Sequence, residues 1–227
     1  MGARPPEDEI AAVAEGVFFQ PTGKLPRGKH SLSPDRVQAA QRERMLIAVT
    51  ELLAAHGYRG FKVGDIATRA GVSLGAFYDC FSGKDDCIFQ GYDRFIEVLL
   101  GRMISVELHG QDQATLTGEL IDGYLRALDQ DLVVARAYQL EIDMLGDPAR
   151  TRRRDALTLF ANHIRQRVAE FTPDGQPPAD IPPIAYIGVV YAARQLVSDE
   201  LASREPDLAR LAAQLREWAT DVLRVRS

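Results

Sequence analysis

The 227-residue chain has only two cysteines, Cys80 and Cys87. That is too few for the disulfide framework on which small secreted scaffolds depend. No apolar run approaches the ~20 residues of a membrane-spanning helix. A secretion signal is missing as well: Glu7, Asp8 and Glu9 stand where a basic region belongs, and Glu15 interrupts the apolar stretch. The expected location is therefore cytoplasmic, with no membrane partner. Strand-like alternation and internal repeats are not found. His30, His56, His109 and His163 have no metal-ligand spacing, and no His pair accompanies the cysteines. No HExxH, GxSxG or GxxxxGK[ST] pattern occurs. No metal, cofactor or catalytic residue is therefore expected. The cysteines are read as reduced, buried thiols, with a redox-sensing pair as the alternative.

What is present is an uneven distribution of charge. The chain as a whole carries −5. Residues 24–84 carry ten Lys/Arg against five Asp/Glu, a net +5, whereas residues 85–227 carry −7. A basic block on an acidic body is a reason to look for a phosphate-binding module in that block. The hydrophobic periodicity is helical throughout. Residues 1–33, broken by Pro5, Pro6, Pro21 and Pro26, read as a flexible arm with a basic end at Lys24, Arg27, Lys29 and His30, with a short docked helix over Ile10–Phe19 as the alternative within it. Ser33-Pro34 opens a first helix whose face is Met45, Ala48, Val49, Leu52 and Leu53, and Gly57 stops it. A short helix ends at Gly71, Ser73 caps the next, and Ser82 with Asp85 reads as the capping box of a fourth. About nine helices are expected, and the fold class is all-α. Residues 34–84 are expected as one domain and residues 85–227 as a second.

The stretch Gly57–Lys84 carries the function. Two short helices meet at Gly71-Val72-Ser73, with Asp65-Ile66-Ala67 and Ala70 before the turn and Phe77 and Phe81 after it. This is the pattern of a helix-turn-helix: a glycine at the sharp turn, small residues at the crossing, apolar anchors inside. If Phe77 and Phe81 face inward, Gly75 and Asp79 point furthest out, flanked by Ala76 and Tyr78. That outer face would meet a major groove.

These residues, Gly57-Tyr58, Asp65-Ile66-Ala67, Ala70-Gly71-Val72-Ser73, Phe77-Tyr78, Phe81 and Lys84, resemble the N-terminal domain of the tetracycline-repressor (TetR) family over about fifty residues. The resemblance implies a homodimeric transcription regulator, usually a repressor, that leaves its double-stranded DNA operator when a small-molecule effector binds. It also implies phosphate contacts from Tyr78 and Lys84. The full DNA-facing set is then Arg44, Lys62, Val63, Ser73, Leu74, Gly75, Ala76, Tyr78, Asp79 and Lys84. Leu74, Ala76 and Asp79 depart from the family, which often has donors there. Leu74 and Ala76 can pack on thymine methyls; Asp79 either accepts from cytosine or faces water. Arg42 and Arg44 either face DNA or lie on a solvated face.

Beyond residue 85 the eighth helix is apolar nearly all round from Ile184 to Ala193 and should bury more than one face. The expected dimer interface is Ile187, Val190, Tyr191, Arg194, Leu215, Trp218 and Val222, where the resemblance also places it. Helices four to eight carry many large side chains, either as a filled core or, as the resemblance implies, around a cavity for a mostly apolar ligand. The candidates are Phe95, Leu99, Met103, Tyr124, Tyr138, Glu141, Ile142, Phe160 and His163. Arg152-Arg153-Arg154 reads as a solvated run. The rival expectation is an all-α ligand-binding protein or enzyme whose helix-turn-helix no longer reads DNA.

Overall fold

The structure, a computed structural model, describes residues 10–20, 33–106 and 112–224. Lys24, Arg27, Lys29, His30 and His109 lie outside these. The described residues form nine α-helices: α1 Pro34–His56, α2 Val63–Ala70, α3 Leu74–Tyr78, α4 Lys84–Ile104, α5 Gln113–Asp129, α6 Leu132–Gln139, α7 Asp147–Ala169, α8 Pro183–Leu201 and α9 Leu208–Val222. Short 3-10 turns lie at Tyr58–Gly60 and Glu141–Leu145. Among the described residues the one β feature is an isolated bridge between Glu15 and Phe19. No helix is long and apolar enough to cross a membrane, and no group of three potential metal ligands occurs, again among the described residues.

The chain divides into two compact units, and the division differs from the expected break after residue 84. One unit takes in the chain up to Phe95 together with Gln130–Leu145; the other comprises Ile96–Asp129 and Gly146–Ser227. In the first unit α1 is the axis against which α2, α3 and α6 pack. Met45, Val49, Leu53, Ile66, Phe77 and Ile88 are its buried centre. α6 is locked to α1 by the Tyr138 hydroxyl, which shares a 2.7 Å hydrogen bond with Thr50 Oγ1. Gly91 of α4 lies against that hydroxyl, so any side chain there would collide with it. A polar pair this deep stays favourable because each hydroxyl satisfies the other, and Thr50 also donates to the Leu46 carbonyl.

The expected flexible arm needs correction at residues 10–20. Phe18 and Phe19 are 2% and 1% exposed, and the Phe18 ring lies 5.4 Å from that of Phe95. The segment's backbone is bonded as well: Val13 N–H donates to Glu51, Ala14 N–H to Asp131 and Gln20 N–H to Glu43. Glu51 also holds Arg69 at 2.5 Å, and Arg69 reaches the Ile10 carbonyl. Burying two phenylalanines and saturating two buried carboxylates outweighs the entropy that proline and glycine confer on an isolated peptide.

In the second unit α5 packs on α9, α7 on α8 and α8 on α9. The Arg216–Asp122 ion pair joins α9 to α5, and Arg167 donates to the Val106 carbonyl.

Candidate nucleic-acid interface

The helix-turn-helix is built by local backbone chemistry. The Asp65 carboxylate accepts from the Lys62 N–H at the start of α2. Gly71 ends that helix at φ 62°, in the left-handed region, and Val72 N–H returns to the Ala67 carbonyl. The Ser73 hydroxyl accepts from Ala76 N–H at 3.1 Å and opens α3. Phe77 and Phe81 are buried with rings 5.4 Å apart, so the opposite face of α3 is outward. Leu74 and Tyr78 are 52% and 59% exposed. Ser73, Gly75 and Asp79 are exposed too, Ala76 is half-buried, and near the start of α2 Lys62 is exposed and Val63 half-buried.

Gly75 and Gly64 are informative because nothing inside the fold requires a glycine at either position. A Cβ on Gly75 would meet only Ser73 Oγ, at 3.7 Å, and one on Gly64 nothing within 4 Å. Neither has a positive φ. An exposed helical glycine with no internal role leaves its backbone open to close approach from outside. Gly64 was missed by the sequence reading; the signal was a glycine kept inside an eight-residue helix despite its poor helix propensity.

Three cations of the basic block are directed inward. Arg44, expected to face DNA, donates instead to the carbonyls of Ala70 and Gly71 at the turn. A Cβ at Gly71 would strike its guanidinium at 2.7 Å. Arg44 thus caps the C-terminus of α2, where the last carbonyls need donors. Arg42 donates to Gln90 and lies 5.4 Å over the Phe81 ring. Lys84 Nζ donates to the carbonyls of Tyr58 and Phe61 at 2.7 and 3.1 Å and lies over both rings. Partial burial pulls its pKa below the ordinary lysine value, against the opposing influence of Asp85. Two of its three N–H donors are therefore committed within the protein. The expected Ser82–Asp85 capping box is also corrected. Asp86 accepts from both the Ser82 N–H and hydroxyl, while Asp85 accepts from the Tyr58 hydroxyl, whose pKa that bond raises.

Residues 46–90 match the family model of bacterial regulatory proteins, tetR family. The match covers the helix-turn-helix segment, about a fifth of the chain. The matched segment takes in the second half of α1, all of α2 and α3 and the first turns of α4. Over 108 residues the chain is 26% identical to the HTH-type transcriptional repressor KstR2 of Rhodococcus jostii (strain RHA1), an alignment covering 48% of this chain and 53% of that protein. The chain thus spans about half the length of this curated relative. The tetR-type fold extends further. The fatty acid degradation regulator FadR of Bacillus halodurans superposes with a TM-score of 0.69 at 18% identity, over 87% of this chain and 100% of that one. The regulator FadR of Bacillus subtilis, solved in complex with stearoyl-CoA, gives 0.62 at 20% identity, over 79% and 97%.

The remaining expected residues divide between the two units of the chain. Of the ligand candidates, Phe95, Tyr138, Glu141 and Ile142 belong to the first unit and Leu99, Met103, Tyr124, Phe160 and His163 to the second. Tyr138 is wholly buried and partnered by Thr50, so its hydroxyl acts as the α1–α6 lock. The His163 ring is bonded to the Met103 backbone, and burial lowers its pKa; its Nε2 is buried with no partner among the described residues. Tyr186, which the sequence reading left within an apolar helix, is 1% exposed with an unpartnered hydroxyl among the described residues. Of the dimer candidates, Tyr191, Trp218 and Val222 are exposed and Ile187 and Arg194 half-buried. Leu215 and Val190 are corrections: they are 2% and 9% exposed in the single chain, because their side chains already fill the core of their own unit. Cys87 is fully buried and its thiol pKa is driven far up by desolvation; Cys80 is half-buried.

Proposed function

We propose that this chain is a homodimeric tetR-family repressor that binds a palindromic operator and leaves it when a small, mostly apolar ligand binds. The carrying observation is the outward face of α3, where Leu74, Gly75 and Tyr78 are exposed and Gly75 has no internal reason to be glycine. Lys62 and the third donor of Lys84 supply phosphate contacts, and Tyr78 supplies another through its hydroxyl. The repressor reading is supported by the name of the Rhodococcus relative. A dimer is supported by Ile184, Tyr191 and Leu196 of α8 and Trp218 and Val222 of α9, large apolar side chains left exposed in one chain. A two-fold dimer presents two identical reading heads, hence the palindrome.

The ligand reading is supported by the stearoyl-CoA complex of a structural neighbour and by the unpartnered buried atoms of His163 and Tyr186 in the second unit. Polar groups of this kind orient a ligand in an otherwise apolar site. Release requires the ligand to favour the DNA-incompatible state, and a coupling of about 1–3 kcal/mol weakens operator binding roughly 5–150-fold.

The test is a fluorescence-anisotropy titration of full-length protein with duplex DNA over a range of salt. Each neutralised phosphate contributes about 0.9 to the log–log slope, so Lys62→Ala should flatten it by about that amount. Arg44→Ala should weaken binding at an unchanged slope, because Arg44 shapes the turn. Binding indifferent to salt would refute the DNA-binding reading and favour the rival, a ligand-binding protein with a silent helix-turn-helix.

A further inference from the structure

We propose that Leu74 is a specificity-determining residue that reads the 5-methyl group of thymine in the major groove. This rests on the DNA-binding reading above. Residues 71–83 contain no Arg, Lys, His, Asn or Gln. The commonest direct readouts, Arg or Lys to guanine and Asn or Gln to adenine, are therefore closed to the turn, to α3 and to the residues that follow it. Of the nearby cations, the exposed Lys62 is assigned above to a phosphate, and three others are engaged within the protein. Arg44 is engaged by the carbonyls of Ala70 and Gly71, Arg42 by Gln90 and the Phe81 ring, and Lys84 by the carbonyls of Tyr58 and Phe61.

What α3 does present near its N-terminal end is aliphatic. Leu74 is its first residue, directly after the Ser73 cap, and is half exposed. The N-terminal residues of a recognition helix are those that touch base edges. Gly75 beside it has no side chain, and a Cβ there would meet only Ser73 Oγ at 3.7 Å, so the groove edge can come close enough for van der Waals contact. The feature of a base edge in the major groove that an aliphatic side chain can recognise is a methyl group, and thymine carries one at C5. Leu74 then distinguishes bases by the presence of that methyl and is indifferent to the exocyclic oxygen or amine beside it.

That indifference sets the experiment. Full-length protein is first used to select an operator from random duplexes. Each thymine of the selected half-site is then replaced in turn by uracil, cytosine or 5-methylcytosine, with the matching partner base, and affinities are measured for wild type and Leu74→Ala. The expected result is one position per half-site where thymine binds about fourfold better than uracil, the effect of burying one methyl group. There 5-methylcytosine should beat cytosine by a similar factor, and both ratios should fall below twofold in Leu74→Ala. Leu74 is exposed, so the variant keeps its fold, and wild type alone already gives the methyl dependence. Salt-dependent binding in which uracil equals thymine throughout, or in which Leu74→Ala keeps the full preference, overturns the role of Leu74 and leaves the regulator reading standing. Absence of salt-dependent binding overturns both.

Discussion

Replacing Gly75 by alanine should raise stability and lower function. In α3 the added methyl meets only Ser73 Oγ, at the ordinary contact distance of 3.7 Å, and the backbone is not in the left-handed region. Such a Gly→Ala change stabilises by about 0.4–1 kcal/mol, mainly by restricting the unfolded chain. For a chain of this size that is roughly a 1–4 °C rise in melting temperature. If Gly75 is the point of closest approach to the groove, the same methyl holds the backbone away from the bases. A misfit of one methyl in a packed contact costs about 1–3 kcal/mol, or roughly 5–150-fold in operator affinity. Urea denaturation gives the first quantity and anisotropy titration the second. Gly101→Ala on α4, where a Cβ meets nothing within 4 Å, is the control: equal or greater stabilisation with unchanged DNA binding. A Gly75→Ala protein that is stabilised and binds operator like wild type would refute the close-approach argument.

Three further outcomes follow from the packing and the charges. Phe18→Ala should lower stability by about 3–5 kcal/mol, the usual cost of emptying a buried phenylalanine site, and deletion of residues 1–20 by more; unchanged urea midpoints would return the segment to a loose arm. Trp218→Glu, at a position exposed in the single chain, should leave the helical signal intact while light scattering reports a monomer; a wild type already monomeric at micromolar concentration would contradict the dimer. Burial holds the His163 pKa below its ordinary value of 6.5, so the unfolded chain takes up the proton first. Its contribution is therefore complete above about pH 6.5 and is lost as pH falls through that value toward the folded pKa; His163→Gln should flatten the decline in melting temperature between pH 7 and 5, and an identical decline in both proteins would remove His163 as its cause.

Much of the reading head was legible because its signals are local. Gly71 as the left-handed stop, Ser73 as the cap and Phe77 with Phe81 as the inner face are each fixed by neighbours within a few residues. The direction of a long cation is not. Arg44 lies 27 residues from the Gly71 carbonyl it caps, and Lys84 lies 26 from that of Tyr58. A positive charge in a basic block reads as a phosphate contact until packing shows which carbonyls need it. Leu215 and Val190 fail for a related reason: a helix face that is apolar on two sides does not reveal which side its own unit covers.

The segment 10–20 shows most clearly where local reading ends. Ile10, Val13, Phe18 and Phe19 are too few and too irregularly spaced to specify a helix or a strand, and an isolated peptide of this length has no stable structure. Its order comes from acceptors far along the chain: Glu51 is 38 residues from Val13, and Asp131 is 117 from Ala14. Both carboxylates are buried, and burial raises the Asp131 pKa, with the nearby Glu51 charge adding to the effect. Without the segment these acceptors would lose the N–H groups of Val13 and Ala14, and an uncompensated buried charge is among the costliest defects a fold can carry. The same two residues join the segment to α1 and to the start of α6, the elements that Tyr138 and Thr50 lock together. Residues 10–20 are therefore part of the frame on which the reading head is mounted, and loss of the segment should be felt at the helix-turn-helix through Glu51 and Arg69, which ties α1 to α2.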